Sequence, residues 1–182
     1  MLFHHGGEYT TELGRIAHFV KPDELPERLG GTPDLIHPLR MRGIGGIGED
    51  TDSPNLWRIL EDVRRRWNVD PARMLMTGMS DGGTFCYVSG LDAASPFTHL
   101  APVSATFHPL MAEMADAQRL QGLPIHIVHG KLDWMFPVQV ARPTQLALSA
   151  AGADVIYREI DDLSHTYPRE MNVAMLEWMN GK

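Results

Sequence analysis

Between residues 54 and 180, short apolar runs alternate with segments whose apolar residues recur every three to four positions. That alternation constrains the fold more than any other feature, because it is the pattern of an α/β domain built on a mostly parallel sheet. The clearest helix is predicted over Pro54 to Trp67, with Leu56, Trp57, Leu60, Val63 and Trp67 on one face and Arg58, Glu61, Asp62 and Arg65 facing away. Ser53 suits its N-cap and Pro54 its first position. After a turn at Val69-Asp70-Pro71, a strand is expected over Arg73 to Thr77, and a helix of small and apolar residues starts near Ser80. Further strands are predicted over His99 to Ser104, Pro124 to Val128 and Val155 to Ile160. Helices are predicted over Met111 to Leu120, Pro137 to Ala151 and Pro168 to Asn180. In the last of these, Met171, Met175 and Trp178/Met179 face inward and Gly181 forms the C-cap. Residues 8–50 carry the weakest pattern: a strand over Asp34 to Leu39 and a glycine-rich loop over Arg42 to Glu49.

Composition narrows the function classes. The chain of 182 residues suits one domain, 1–182, and 43% apolar residues are enough for a proper core. A net charge of −7 argues against nucleic acid as a partner. The one basic run, Arg64-Arg65-Arg66, falls in the last turn of a helix, where cations complement the helix dipole. Cys86 is the only cysteine, so an intrachain disulfide scaffold is excluded. No apolar stretch approaches the roughly 18 residues of a membrane span, and no basic-then-apolar leader opens the chain. These features predict a soluble, cytoplasmic protein.

The chemistry is concentrated in Gly78-Met79-Ser80-Asp81-Gly82, a Gly-x-Ser-x-Gly sequence extended by Gly83. A strand runs in and a helix runs out, the setting of a nucleophile elbow that presents a serine hydroxyl at the carboxyl edge of a sheet. Gly78 and Gly82 are expected to keep side chains clear of that tight turn. A serine hydroxyl needs a base to take its proton, and histidine is suited to the task. At such an elbow the partners follow in the order acid, then histidine. Asp133 lies in the loop after the strand Pro124–Val128, and His165 in the loop after Val155–Ile160. Loops that follow strands of a parallel sheet gather at one edge, so Ser80, Asp133 and His165 are expected to converge there as nucleophile, acid and base.

The other histidines fit less well. His99 and His126 fall within predicted strands and His37 within another; His108 precedes a proline; His129 ends a strand, where it could hydrogen-bond backbone near the site. Asp161 and Asp162 sit too close to His165 in sequence to serve as its acid. A metal reading of His4, His5, His126 and His129 is weak, since His126 and His129 point to opposite faces of a strand; no metal and no cofactor is expected. The oxyanion of a tetrahedral intermediate needs backbone donors. Asp81 N–H is one candidate, and Gly7 N–H, in the turn His5-Gly6-Gly7 after Met1-Leu2-Phe3, is the other. Met79, Trp134, Met135 and Phe136 are candidates for the walls of an acyl pocket, each of them equally suited to the core.

These segments resemble the α/β-hydrolase superfamily, and within it the phospholipase/carboxylesterase group and its dienelactone-hydrolase and polyhydroxybutyrate-depolymerase-like neighbours. The resemblance rests on His5-Gly6-Gly7, on the run from Val69 to Gly83, on His129-Gly130-x-x-Asp133-x-x-x-Pro137 and on His165. It covers residues 54–182 well, residues 1–7 less securely and residues 8–50 poorly. It implies the same roles for Ser80, Asp133, His165, Gly7 and Asp81, and a sheet reduced to about six strands because the usual first two have no room. Asp81 departs from the Asn, Gln or hydrophobe common there and is expected to disfavour anionic substrates. The expected activity is hydrolysis of small-molecule carboxylic esters of small to medium acyl groups through an acyl-enzyme. A thioesterase or lactonase with the same residues, or a non-catalytic ligand-binding protein of this fold, are the alternatives. A shortened sheet would leave Asp34–Leu39 as an exposed edge, so a homodimer through that edge is expected. The abrupt apolar start fits either a minimal hydrolase or a truncated one.

Overall fold

The computed structural model describes residues 2–5, 52–108 and 110–181. Five parallel strands lie side by side in chain order: β1 (Leu2–His5), β2 (Leu75–Met79), β3 (His99–Val103), β4 (Pro124–Gly130) and β5 (Asp154–Ile160). Between and after them run α1 (Asp52–Arg66), α2 (Asp81–Gly90), α3 (Leu110–Met114), α4 (Ala117–Leu120), α5 (Val138–Ala150) and α6 (Met171–Met179). This is the predicted α/β architecture. The further strand expected over Asp34–Leu39, and the edge assigned to it, lie outside the described residues.

Helices α1 to α5 share one core with one face of the sheet. Leu56, Ile59 and Leu60 of α1, Phe85, Cys86 and Tyr87 of α2, and Leu148 of α5 pack there with Met76, Leu100, Ile125 and Ile127 from the strands. The opposite face buries Leu75, Met79, Ala101, Val103 and Val128 under Met171 and Met175 of α6. The period-two alternation of β2 to β5 therefore feeds two cores, as expected of a sheet covered on both sides. Trp178 of α6 stands edge-on between two histidines, 5.2 Å from the His99 ring and 5.3 Å from the His126 ring.

Several boundaries differ from the sequence reading for identifiable reasons. β2 starts two residues late and ends two residues late, because Asp70 first closes a turn onto Ala72 N–H and Arg73. Gly78 and Met79 then remain in the ladder, level with Pro102 and Val103. The helix expected over 111–120 is split in two because Asp116, in extended conformation, caps α4 through the N–H groups of Gln118 and Arg119. Ile59, rather than Trp57, completes the buried stripe of α1, and Trp57 faces outward. The last helix begins at Met171, after a turn at Pro168 to Glu170.

Candidate active site

Ser80 occupies the single residue between β2 and α2, with φ 59° and ψ −127°. A side chain in the positive-φ region is strained, and the strand and helix on either side hold it there. Its N–H donates to Val103 O at 3.0 Å, which ties the turn to the end of β3. The helix leaves very close to the strands. A Cβ on Gly83 would lie 2.6 Å from Ala105 Cβ and 2.9 Å from Gly78 O, so glycine is required at 83 by close approach. Thr84 fixes α2 from the other side, accepting from Thr106 N–H at 3.2 Å. The first intrahelical bond is Thr84 N–H to Ser80 O, leaving the N–H groups of Asp81, Gly82 and Gly83 without intrahelical acceptors beside the serine.

The structure brings Ser80, Asp133 and His165 together. His165 Nε2 lies 3.0 Å from Ser80 Oγ, and His165 Nδ1 lies 2.9 and 3.0 Å from the two carboxylate oxygens of Asp133. Asp133 Oδ1 also accepts from the N–H groups of Met135 and Phe136 at 3.0 and 2.8 Å. Burial pushes the Asp133 carboxyl up, but the Phe136 N–H and the His165 ring outweigh it and hold the pKa below the ordinary value. An ionised, fully hydrogen-bonded carboxylate on Nδ1 fixes the tautomer that leaves Nε2 facing the serine with a lone pair. Asp133 and Ser80 are each 5% exposed, so the chain is screened from bulk water.

The Asp133–His165 distance depends on a zipper between the loops that follow β4 and β5. Lys131 N–H donates to Ile160 O at 2.9 Å, Leu132 N–H donates to Leu163 O at 3.0 Å, and Lys131 Nζ pairs with Asp161 at 3.0 Å. Gly130 makes the approach feasible, since a Cβ there would be driven against the Leu163 carbonyl and within 2.8 Å of Ser164 O. Gly130 belongs to the motif His129-Gly130-x-x-Asp133, but the motif alone does not reveal the close approach that requires a glycine there. What the sequence does carry is a glycine closing an apolar strand three residues before the acid.

His129 is fully buried, and its Nε2–H donates to Phe136 O at 2.7 Å. It thereby holds the turn that aims two N–H groups at Asp133, the backbone role the sequence suggested. Of the four apolar candidates, Met79 packs into the core under α6. Phe136 lies edge-on to the His165 ring at 5.3 Å and Trp134 at 6.2 Å. Trp134 is 72% exposed and Met135 45%. β1 ends at His5, level with Met79. Gly7, the second candidate donor, lies outside the described residues. Among the described residues no group of three or more His, Cys, Asp or Glu could hold a metal ion.

Residues 55–180 match the model of the phospholipase/carboxylesterase family, which is more than half of the chain. The chain belongs to that family. Ester hydrolysis is the family chemistry that membership carries. Esterase YpfH of Escherichia coli (strain K12) is 26% identical over 188 residues, covering 96% of this chain and 79% of the relative. Among solved structures, esterase PE8 superposes with a TM-score of 0.60 at 20% identity, over 72% of this chain and 60% of its own. Arabidopsis thaliana SOBER1 also superposes with a TM-score of 0.60, at 17% identity, over 76% of this chain and 68% of its own. At such identities these structures speak for the α/β-hydrolase fold alone. The chain spans less than two thirds of the PE8 chain.

Proposed function

We propose that this family member is a serine esterase that cleaves small-molecule carboxylic esters in two steps through an acyl-enzyme. The observation that carries the reading is the continuous hydrogen-bonded line from Ser80 Oγ through His165 to Asp133, at the carboxyl edge of β2, β4 and β5. Ser80 Oγ attacks the ester carbonyl carbon while its proton passes to His165 Nε2. Asp133 stabilises the imidazolium as it forms. The tetrahedral oxyanion is received by Asp81 N–H at the start of α2, where the helix dipole favours negative charge. Gly7 N–H is the second donor; the register that ends β1 beside Met79 supports this by delivering the chain next to Ser80. As the C–O bond breaks, His165 returns the proton to the leaving alkoxide, giving the alcohol. Water, deprotonated by the same imidazole, then releases the carboxylic acid and restores Ser80.

Trp134 and Phe136, whose rings border His165, and the partly exposed Met135 between them in sequence support an uncharged acyl group of small to medium length. Asp81, exposed beside the nucleophile, places a negative charge next to the developing oxyanion and favours neutral or cationic substrates. A cytoplasmic setting fits the lone, free and buried thiol of Cys86. Among the described residues no helix is long and apolar enough to cross a membrane.

A fluorophosphonate probe tests the nucleophile. The expected result is covalent labelling of the wild type, lost in Ser80→Ala with its circular dichroism unchanged. A folded wild type that takes no label overturns the proposal and leaves a binding protein of this fold. p-Nitrophenyl esters of increasing chain length, run beside a thioester and a lactone, then fix the substrate class. Preference for the short and medium oxygen esters is expected.

A further inference from the structure

Among the described residues β5 is an edge of the sheet, paired with β4 on one side only. Its backbone orientation can be read from its two ends. Asp154 N–H donates inward to Leu123 O, and Ile160 O accepts inward from Lys131 N–H. Backbone groups alternate along a strand, so residues 154, 156, 158 and 160 spend theirs on the β4 side. The N–H and C=O groups of Val155, Tyr157 and Glu159 point to the open edge. Such a row is a template for another strand, and proteins ordinarily blunt it with charge.

The charges on β5 are of both signs. Val155, Tyr157 and Glu159 lie on the side of α5, where Val155 and Tyr157 pack against the core and Glu159 is held by Arg142 at 2.8 and 2.9 Å. The other side presents Asp154, Ile156 and Arg158, all exposed, with Ile156 44% open to solvent. Among the described residues, neither Asp154 nor Arg158 takes part in an ion pair. An acid and a base placed symmetrically about an exposed isoleucine form a self-complementary pattern. When two copies of β5 run antiparallel about a two-fold axis at Ile156, Asp154 of one faces Arg158 of the other at both ends. Ile156 then meets its own counterpart, and Val155 faces Tyr157.

This register also satisfies the backbone. Val155 and Tyr157 carry the outward N–H and C=O groups, and they become the pairs that exchange hydrogen bonds. Asp154, Ile156 and Arg158 become the non-hydrogen-bonded pairs, whose side chains approach most closely. Shifting the axis to Tyr157 keeps the hydrogen bonds but sets Arg158 against Ile156 and Asp154 against Ile160, discarding both ion pairs. Parallel pairing in register sets like charges together. The charged edge therefore discourages other strands and selects its own copy.

We propose that the chain forms a symmetric homodimer by antiparallel pairing of β5, joining the two sheets into one continuous sheet, with Asp154–Arg158 ion pairs flanking an Ile156 contact. The surface is isologous, as a two-fold dimer requires. It differs from the Asp34–Leu39 edge expected from sequence, and it is independent of the esterase reading.

Sedimentation velocity over a concentration series, with circular dichroism as the folding control, tests the pairing. The wild type is expected as a dimer. Asp154→Arg places like charges at both ends and gives a monomer, as does Arg158→Asp. The double variant Asp154→Arg/Arg158→Asp restores opposite charges and the dimer. A wild type that stays monomeric at every concentration overturns the proposal. So does a dimer indifferent to the single charge reversals, or a double variant that folds and remains monomeric.

Discussion

Ser80, like Ser104, carries conformational strain among the described residues, a positive φ on a residue with a Cβ. Ser80→Gly is expected to raise unfolding free energy by about 1 kcal/mol in urea, because relief of strain exceeds the extra chain entropy of glycine. Ser80→Ala keeps the Cβ and is expected to gain nothing. Asp133 makes a second testable case. Its folded pKa lies below the ordinary aspartate value of 3.8, so folding is favoured by its ionised form. That contribution is complete above pH 3.8 and is lost as pH falls through the depressed folded value. In Asp133→Asn the acid limb of a plot of urea midpoint against pH is expected to be shallower over that range. Cys86 is inert for a related reason. Burial drives its thiol up to about 12, and its Sγ–H donates to Met76 O at 3.3 Å. Native protein is expected to be unreactive toward a disulfide reagent at neutral pH, and unfolded protein to react fully. The convergence of Ser80, Asp133 and His165 was readable from sequence because each lies in the turn or loop that follows a strand. The core placement of Met79 was not, because one residue before the serine is still inside the ladder.

Elements meet at this site through their ends, and the loops after β4 and β5 meet most closely. Gly130→Ala forces its Cβ against the Leu163 carbonyl and must part the Lys131–Ile160 and Leu132–Leu163 contacts. Separation of the loops moves Asp133 from His165, and displacement by about 1 Å can cost on the order of a hundredfold in rate. Gly130→Ala is expected to lower kcat to that degree with KM little changed, measured on a p-nitrophenyl ester. Gly122, in the turn between α4 and β4 and open around its Cβ, has a different requirement: its φ of 67° rather than its space. Local sequence signals cannot distinguish these two demands, since both appear as a glycine beside an apolar run. The break at Asp116 was likewise hidden, because a periodic apolar pattern continues across it while the side chain caps a new helix. Strand existence and order of elements were legible; boundaries decided by one polar side chain were not.

Among the described residues, the two faces of the sheet are covered unequally. Five helices share the core on one face, while α6 is the described helix on the other, seated over β2, β3 and β4. Amphipathic spacing announced the buried face of α6 correctly at Met171 and Met175. It could not announce that Trp178 would sit between two rings borne by strands far apart in sequence. Burial lowers the pKa of both His99 and His126 from the usual 6.5, with Arg158 adding to the effect at His126. Their neutral forms favour folding above pH 6.5, and this support fades as pH falls through the lowered values. The indole between them thus acts as an optical gauge of how firmly α6 is clamped. Emission that depends on Trp178, taken as the difference between the wild type and Trp178→Phe, should be steady at neutral pH and fall in mild acid as the imidazoles charge and quench it.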